Sequence, residues 1–112
     1  MHRALIVARM MPGAEDDVAA VFAASDRGEL PDLVGATSRS LFRFRDVYLH
    51  LIEADRPLGP AVAAVRDHPA FRSISRELDP MISPYDPGSW RGPADAMAQE
   101  FYRWERGAGG KP

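Results

Sequence analysis

Residues 35–55 read GATSRSLFRFRDVYLHLIEAD, and this stretch decides the fold. Apolar and polar residues alternate on both sides of a central break, which predicts two β-strands joined by a tight turn. Side chains of a strand point alternately to the two faces of its sheet. We therefore expect Arg39 and Arg43 in one row on the first strand, and Tyr48 and His50 in one row on the second.

This predicted hairpin has two interpretations. It is either a plain amphipathic hairpin with solvated cations, or the polar floor of a pocket. The choice depends on whether the row of Arg39 meets the row of His50 on one face of the sheet. The register of the turn near Arg45 and Asp46 decides this, because a slip of one residue reverses the face.

The composition narrows the class of protein. A chain of 112 residues is expected to form one domain, here residues 1–106, with a flexible tail at residues 107–112. The net charge of −2 comes from mixed charges, which argues against nucleic acid or a membrane as the main partner. Cysteine is absent, so disulfides, thiolate zinc sites and cysteine nucleophiles are excluded, and a cytoplasmic location is expected.

The other elements complete an alternating order of strands and helices. The patterns predict a strand at residues 2–10, a helix at 14–25, a loop at 27–32, helical pieces at 58–67 and 70–78, an ordered loop at 79–93 and a last strand at 99–105. The βαββαβ order is that of an α+β, ferredoxin-like sandwich of the dimeric α+β barrel type.

Both faces of the predicted hairpin carry large apolar side chains. Phe42 and Phe44 fall on one face of the first strand, and Leu41 falls on the other. Helices cover only one face of such a sheet, so the second apolar face needs a partner surface. We expect a homodimer formed sheet against sheet.

The candidate catalytic residues lack any metal or nucleophile motif. His2 and His68 are scattered at positions typical of surface residues, which argues against a metal site. His50 lies in mid-strand, where it is either a half-buried histidine with a hydrogen-bond partner or an acid-base group in a cavity. Arg39 is either an exposed sheet residue or a fixed guanidinium that stabilises a developing oxyanion.

The first predicted helix ends in a polar pair. Its apolar stripe passes through Val21 and Phe22, and at helical spacing continues to Ser25 and Asp26. These two residues either terminate the helix or face a cavity at the end of the core. In the second case Asp26 serves as a base or orients a donor.

Other polar and aromatic residues are less specific. Tyr48 is less specific because tyrosine is common in strands. For Arg43, the alternative to a functional role is an ion pair with an acidic residue on the neighbouring strand. Trp90, Tyr85 and Phe71 either cover a cavity mouth or belong to the core. An acid-base set without a nucleophile, metal or cofactor motif favours proton transfer on an already reactive substrate.

Several pieces of sequence, which span almost the whole chain in order, carry a family resemblance: RALIVARM at residues 3–10, Ser25-Asp26 with the following ELP, the block from Arg39 to Asp55, RxHPxF at 66–71, Pro84-Tyr85 and FYxW at 101–104. In these pieces the sequence resembles the aromatic polyketide cyclases of the tetracenomycin F2 cyclase type, from type II polyketide pathways of antibiotic biosynthesis.

The resemblance implies a dimeric enzyme that uses no cofactor. The implied reaction closes a late ring of a partly cyclised poly-β-ketone by intramolecular aldol condensation and dehydration. The resemblance also implies pocket roles for Arg39, His50 and Asp26. From their predicted positions we also expect Ser25, Arg43, Tyr48 and Trp90 to contact the substrate. The polyketide arrives free or on an acyl carrier protein. Ser25 stands where the resemblance implies histidine, so either His50 and Asp26 carry more of the proton transfer or the substrate differs.

Two other classes of function fit the same predicted fold. One is a cofactor-independent monooxygenase that converts an anthrone to a quinone. The active sites of these monooxygenases, however, use asparagine and tryptophan. This chain has no asparagine, and Trp90 and Trp104 lie outside the hairpin. A non-catalytic dimer that only shields the polyketide is the other.

Overall fold

The computed structural model describes residues 1–90 and 93–107. Its elements in chain order are β1 (His2–Met10), α1 (Glu15–Asp26), α2 (Leu30–Val34), β2 (Ala36–Phe44), β3 (Val47–Ala54), α3 (Leu58–Val65), α4 (Pro69–Leu78), β4 (Ile82–Pro84) and a 3-10 turn (Pro93–Ala96). The strands form one antiparallel sheet in the order β2-β3-β1-β4. The predicted α+β fold is confirmed.

The turn between β2 and β3 fixes which side chains share a face. Phe44 lies opposite Val47, and from this register Leu41 lies opposite His50. Directly opposed residues of a sheet point to the same side. The row that contains Arg39 and the row that contains His50 therefore meet on one face, which we call the inner face.

A β-bulge adjusts the far end of β2. Ala36 lies opposite Ala54, but Ser38 lies opposite Glu53, so one extra residue is inserted between the two pairs. A bulge of this kind shifts the alternation by one residue. As a result both Ala36 and Arg39 belong to the inner face, although they are three residues apart.

The core lies between the inner face and the helices. Val18 and Phe22 of α1 pack in one cluster with Ala8 of β1, Tyr48 of β3 and Ile74 of α4. The apolar spacing of α1 produces this contact, and its acidic first turn suits the positive end of the helix dipole. The core thus holds the inner face of β3 against α1.

The loop predicted at residues 27–32 is wrong in its second half. Leu30–Val34 forms the short helix α2, and Pro31 lies in its first turn. A proline is tolerated there because the first turn leaves its N–H groups without helical partners. Leu30 and Val34 are buried, and Gly35, with φ of 75°, ends the helix.

The last strand predicted at residues 99–105 is also wrong. The fourth strand is β4, which pairs with the end of β1. Met97 makes a single bridge to Ile6, after which the described chain leaves the sheet and Phe101 is 97% exposed. β4 pairs only with residues 8–10 of β1, and the described residues after Met97 form no ladder with the remaining edge, so alternating aromatics alone did not produce a strand. Residues 91–92 of the predicted loop and 108–112 of the predicted tail lie outside the described residues.

The other face of the sheet, which we call the outer face, remains apolar and uncovered by helices. Phe42 and Phe44 are 53% and 63% exposed there. Leu49 and Leu51 lie opposite Phe42 and Ser40 on the same face and are half-buried. Within the described residues, no helix is long and apolar enough to cross a membrane.

Candidate active site

A cavity of about 330 Å³ opens between the inner face and the helices. This volume lies within the range of about 300–1,000 Å³ that is typical of small-molecule sites. Most of its lining is apolar, including Phe22, Leu30, Ile52, Val62, Phe71 and Ile74. Arg39, Tyr48 and His50 of the hairpin also line the cavity. The hairpin is therefore the floor of a cavity and not a solvated ribbon.

His50 is the buried polar group at the centre of this floor. It is 5% exposed, and the ring of Phe22 meets its imidazole edge-on at 5.0 Å between centroids. Burial lowers the pKa of His50 to about 3, with help from the positive charge of Arg39 and against the opposing effect of Asp26. The imidazole is therefore neutral at physiological pH.

The contact between Arg39 and His50 defines the tautomer of that imidazole. Nη1 of Arg39 lies 2.8 Å from Nε2 of His50. A guanidinium has only donors, so Nε2 must accept and cannot carry a proton. The proton of the neutral ring then sits on Nδ1, which lies 3.2 Å from Oη of Tyr48.

Arg39 is itself held from two further sides. Its Nε and Nη2 donate to the carboxylate of Asp26 at distances of 2.7–3.2 Å. The guanidinium also lies over the ring of Phe22, 4.8 Å from the centroid. Asp26 is the last residue of α1, so this bidentate ion pair joins the end of the helix to the sheet. The set Asp26–Arg39–His50–Tyr48 is thus one connected chain of hydrogen bonds.

The structure brings most of the predicted site residues together, but not all of them. Trp90 lines the cavity and also borders a neighbouring one of about 280 Å³. Ser25 is half-buried and does not line the cavity. Arg43 shares the inner face, but its side chain donates to Glu15 and to the carbonyl of Arg45 instead. Its position near the end of β2 places it beside the start of α1.

Three polar lining residues were not predicted. Ser75, Asp79 and Ser83 come from the end of α4 and from β4 and reach the cavity. The polar interruption after Ile74 was the available signal, but a solvated helix face gives the same pattern. Among the described residues, no group of three or more His, Cys, Asp or Glu is placed to hold a metal ion.

Comparison with known proteins identifies the class. The sequence profile of the polyketide synthesis cyclase family matches residues 2–105, and the chain belongs to this family.

Particular relatives share nearly the whole chain. Polyketide synthase CurG of Streptomyces cyaneus is 58% identical over 106 residues, which cover 95% of this chain and 99% of the relative. Tetracenomycin F2 cyclase of Streptomyces glaucescens is 41% identical over 103 residues, with 92% and 94% covered. Its solved structure superposes with a TM-score of 0.87 over 94% of this chain and 98% of that one, at 40% identity.

A more distant structure shares the fold alone. A Chloroflexus aurantiacus protein assigned as an antibiotic biosynthesis monooxygenase superposes with a TM-score of 0.54 at 17% identity, over 81% of this chain and 96% of that one. The same architecture therefore occurs with different assigned activities, and function has to be argued from the site.

Proposed function

We propose that this protein is a cofactor-free polyketide cyclase that closes a late ring of a partly cyclised aromatic poly-β-ketone, with defined regiochemistry, by aldol condensation and dehydration. The observation that carries the proposal is the hydrogen-bonded chain from Asp26 through Arg39 to His50, of which Arg39 and His50 line the floor of an apolar cavity. The family membership and the tetracenomycin F2 cyclase relative support the substrate class.

The apolar cavity supplies the first part of catalysis. A flexible poly-β-ketone can join many pairs of its carbons, and a shaped cavity restricts it to one folded conformation. Holding two reacting groups together removes a large entropic part of the barrier. Walls such as Phe22, Phe71 and Trp90 contact the flat, already aromatic portion of the substrate in this proposal.

The polar floor supplies the second part. A proton leaves an activated methylene carbon, the resulting enolate carbon bonds to a ketone carbon, and the ketone oxygen becomes an alkoxide. That oxygen is protonated and leaves as water with a second ring proton, which gives the aromatic ring. Arg39 stabilises the negative oxygen, and His50 takes or returns the proton.

Proton removal by His50 requires a change of partner at Nε2. In the free protein this lone pair accepts from Arg39. A substrate oxygen that attracts the guanidinium releases Nε2 for the proton. Asp26 keeps Arg39 in reach during the exchange through its bidentate contact. Contacts of Ser25 and Arg43 with the substrate stay predictions, since neither residue lines the cavity.

We also propose that the working form is a homodimer. Phe42 and Phe44 are exposed on the outer face, and Phe101 and Trp104 are exposed in the C-terminal segment. Both groups are left exposed by the single chain, and a second copy can cover them.

The assay is direct. The purified protein is incubated with tetracenomycin F2 and with analogues of other chain lengths, both free and as acyl carrier protein thioesters, and products are identified by mass and NMR. We expect loss of one water and a single regioisomer, without oxygen uptake. Stoichiometric oxygen consumption with an anthrone would instead assign a monooxygenase. A spontaneous product mixture unchanged by the protein would leave only a binding role.

A further inference from the structure

The hydroxyl of Tyr48 is the polar group of the cavity floor that the proposed chemistry has not used. Tyr48 is 4% exposed, points to the inner face and lines the cavity. Among the described residues, the structure gives its hydroxyl one hydrogen bond, to Nδ1 of His50 at 3.2 Å. The direction of that bond decides what the hydroxyl can do.

Arg39 sets the direction. Because the guanidinium donates to Nε2, the ring proton of neutral His50 lies on Nδ1, and Nδ1–H donates to Oη of Tyr48. The same holds if His50 takes a proton at Nε2, since Nδ1–H is retained. In both states the Tyr48 oxygen is an acceptor towards His50, and its own hydrogen is free for another acceptor.

We propose that Tyr48 is a catalytic residue, whose O–H donates to the polyketide oxygen that becomes negative during ring closure, and that His50 also acts as the positioning residue for this hydroxyl. The proposal deepens the proposed function and rests on it. Arg39 donates to His50, His50 donates to Tyr48, and Tyr48 in turn donates to the substrate oxygen. Hydrogen bonds that run in one direction in this way polarise and strengthen one another. A buried donor prepared in advance for a developing oxyanion is an effective catalytic arrangement.

Burial also suits Tyr48 to the task. It raises the pKa of the Tyr48 hydroxyl, although the nearby charge of Arg39 acts in the opposite direction. The group therefore stays protonated and able to donate at physiological pH. A purely structural Tyr48 would instead only satisfy Nδ1 of His50.

The test is Tyr48→Phe, which removes one oxygen from the floor. With tetracenomycin F2 we expect kcat to fall about 10- to 100-fold with little change in KM, the effect of losing one hydrogen bond to a developing charge. Tyr102→Phe, at a tyrosine that is 76% exposed, is the matched control and should keep wild-type kinetics. An unchanged kcat in a folded Tyr48→Phe protein overturns the proposal.

Two further measurements test the donor role of the Tyr48 hydroxyl independently of the proposed function. The ¹⁵N spectrum of the wild-type His50 ring should show a protonated Nδ1 and a bare Nε2, and the opposite tautomer refutes the donor direction. Binding of 1,8-dihydroxyanthraquinone should weaken about tenfold in Tyr48→Phe, while binding of anthracene, which has no oxygen, is unchanged. Equal weakening of both ligands, or no preference of the wild type for the oxygen-bearing one, overturns the proposal.

Discussion

Nη1 of Arg39 and Nε2 of His50 lie 2.8 Å apart, although the two residues are diagonal neighbours and not directly opposed across β2 and β3. Ile52 is opposite Arg39, and Leu41 is opposite His50. A long arginine side chain can bridge such a diagonal. The contact ties the protonation of His50 to the charge of Arg39.

Removing that charge should raise the pKa of His50. In Arg39→Met the imidazole loses the positive neighbour, so its pKa should rise above the wild-type value of about 3. It should stay below the ordinary histidine value because burial is the larger cause. An NMR titration of the His50 ring measures this. Arg43→Met, which removes a charge paired with Glu15, is the control and should leave the titration in place. An equal pKa in wild type and Arg39→Met contradicts the assignment.

His50 should also make folding stability depend on pH. The unfolded chain binds a proton at His50 below about pH 6.5, whereas the folded protein does not until near pH 3. Stability from the neutral buried ring is therefore complete above pH 6.5 and is lost as pH falls, by up to about 1.4 kcal/mol per pH unit.

Urea unfolding between pH 4 and 7 measures this effect. The difference in free energy of unfolding between wild type and His50→Gln should shrink as pH falls. His2→Gln, at an exposed histidine, should run parallel to wild type. A constant difference for His50→Gln across this range would show that the ring is not held neutral.

The ion pair of Asp26 and Arg39 should couple helix α1 to the sheet. A double-mutant cycle with Asp26→Asn and Arg39→Met should give a coupling energy of about 1 kcal/mol, since the contact is bidentate but the carboxylate is partly exposed. The free energy of unfolding of the four proteins provides the value. Additive effects would mean that the two side chains do not hold each other.

Polar substitution on the outer face should break the proposed dimer. Phe42→Glu places charge at an exposed aromatic position and should shift sedimentation from dimer to monomer without loss of helical content. Leu33→Glu, at an exposed leucine of α2 on the helical side, should leave the assembly intact. A wild-type protein that sediments as a monomer at micromolar concentration refutes the dimer outright.

Local sequence patterns predicted the parts of the fold that depend on nearest neighbours. The alternation around Arg39 and His50 and the apolar stripe of α1 placed the hairpin and the helix correctly. The meeting of the two rows needed the register of the turn, which alternation does not contain. The bulge before Ser38 was likewise invisible in the pattern.

The errors arose where tertiary contacts override local preference. Pro31 suggested a loop, but the burial of Leu30 and Val34 stabilises a single helical turn around it. Residues 99–105 have the composition of a strand, yet Glu100 pairs with Arg3 and Arg103 and the segment does not join the sheet. In the site, Arg43 lies on the predicted face, but its side chain pairs with Glu15 and does not line the cavity, so its contact with the substrate stays a prediction. Pairing choices of this kind depend on distant residues.

The central claim is that Arg39 and His50 together drive ring closure. It is tested most directly by the rate and regiochemistry of cyclisation of tetracenomycin F2 by folded His50→Ala and Arg39→Ala proteins, next to wild type. We expect each variant to lose at least about 100-fold in kcat/KM, through loss of acid-base catalysis or of oxyanion stabilisation. If both folded variants give the same product at the wild-type rate, the account is wrong.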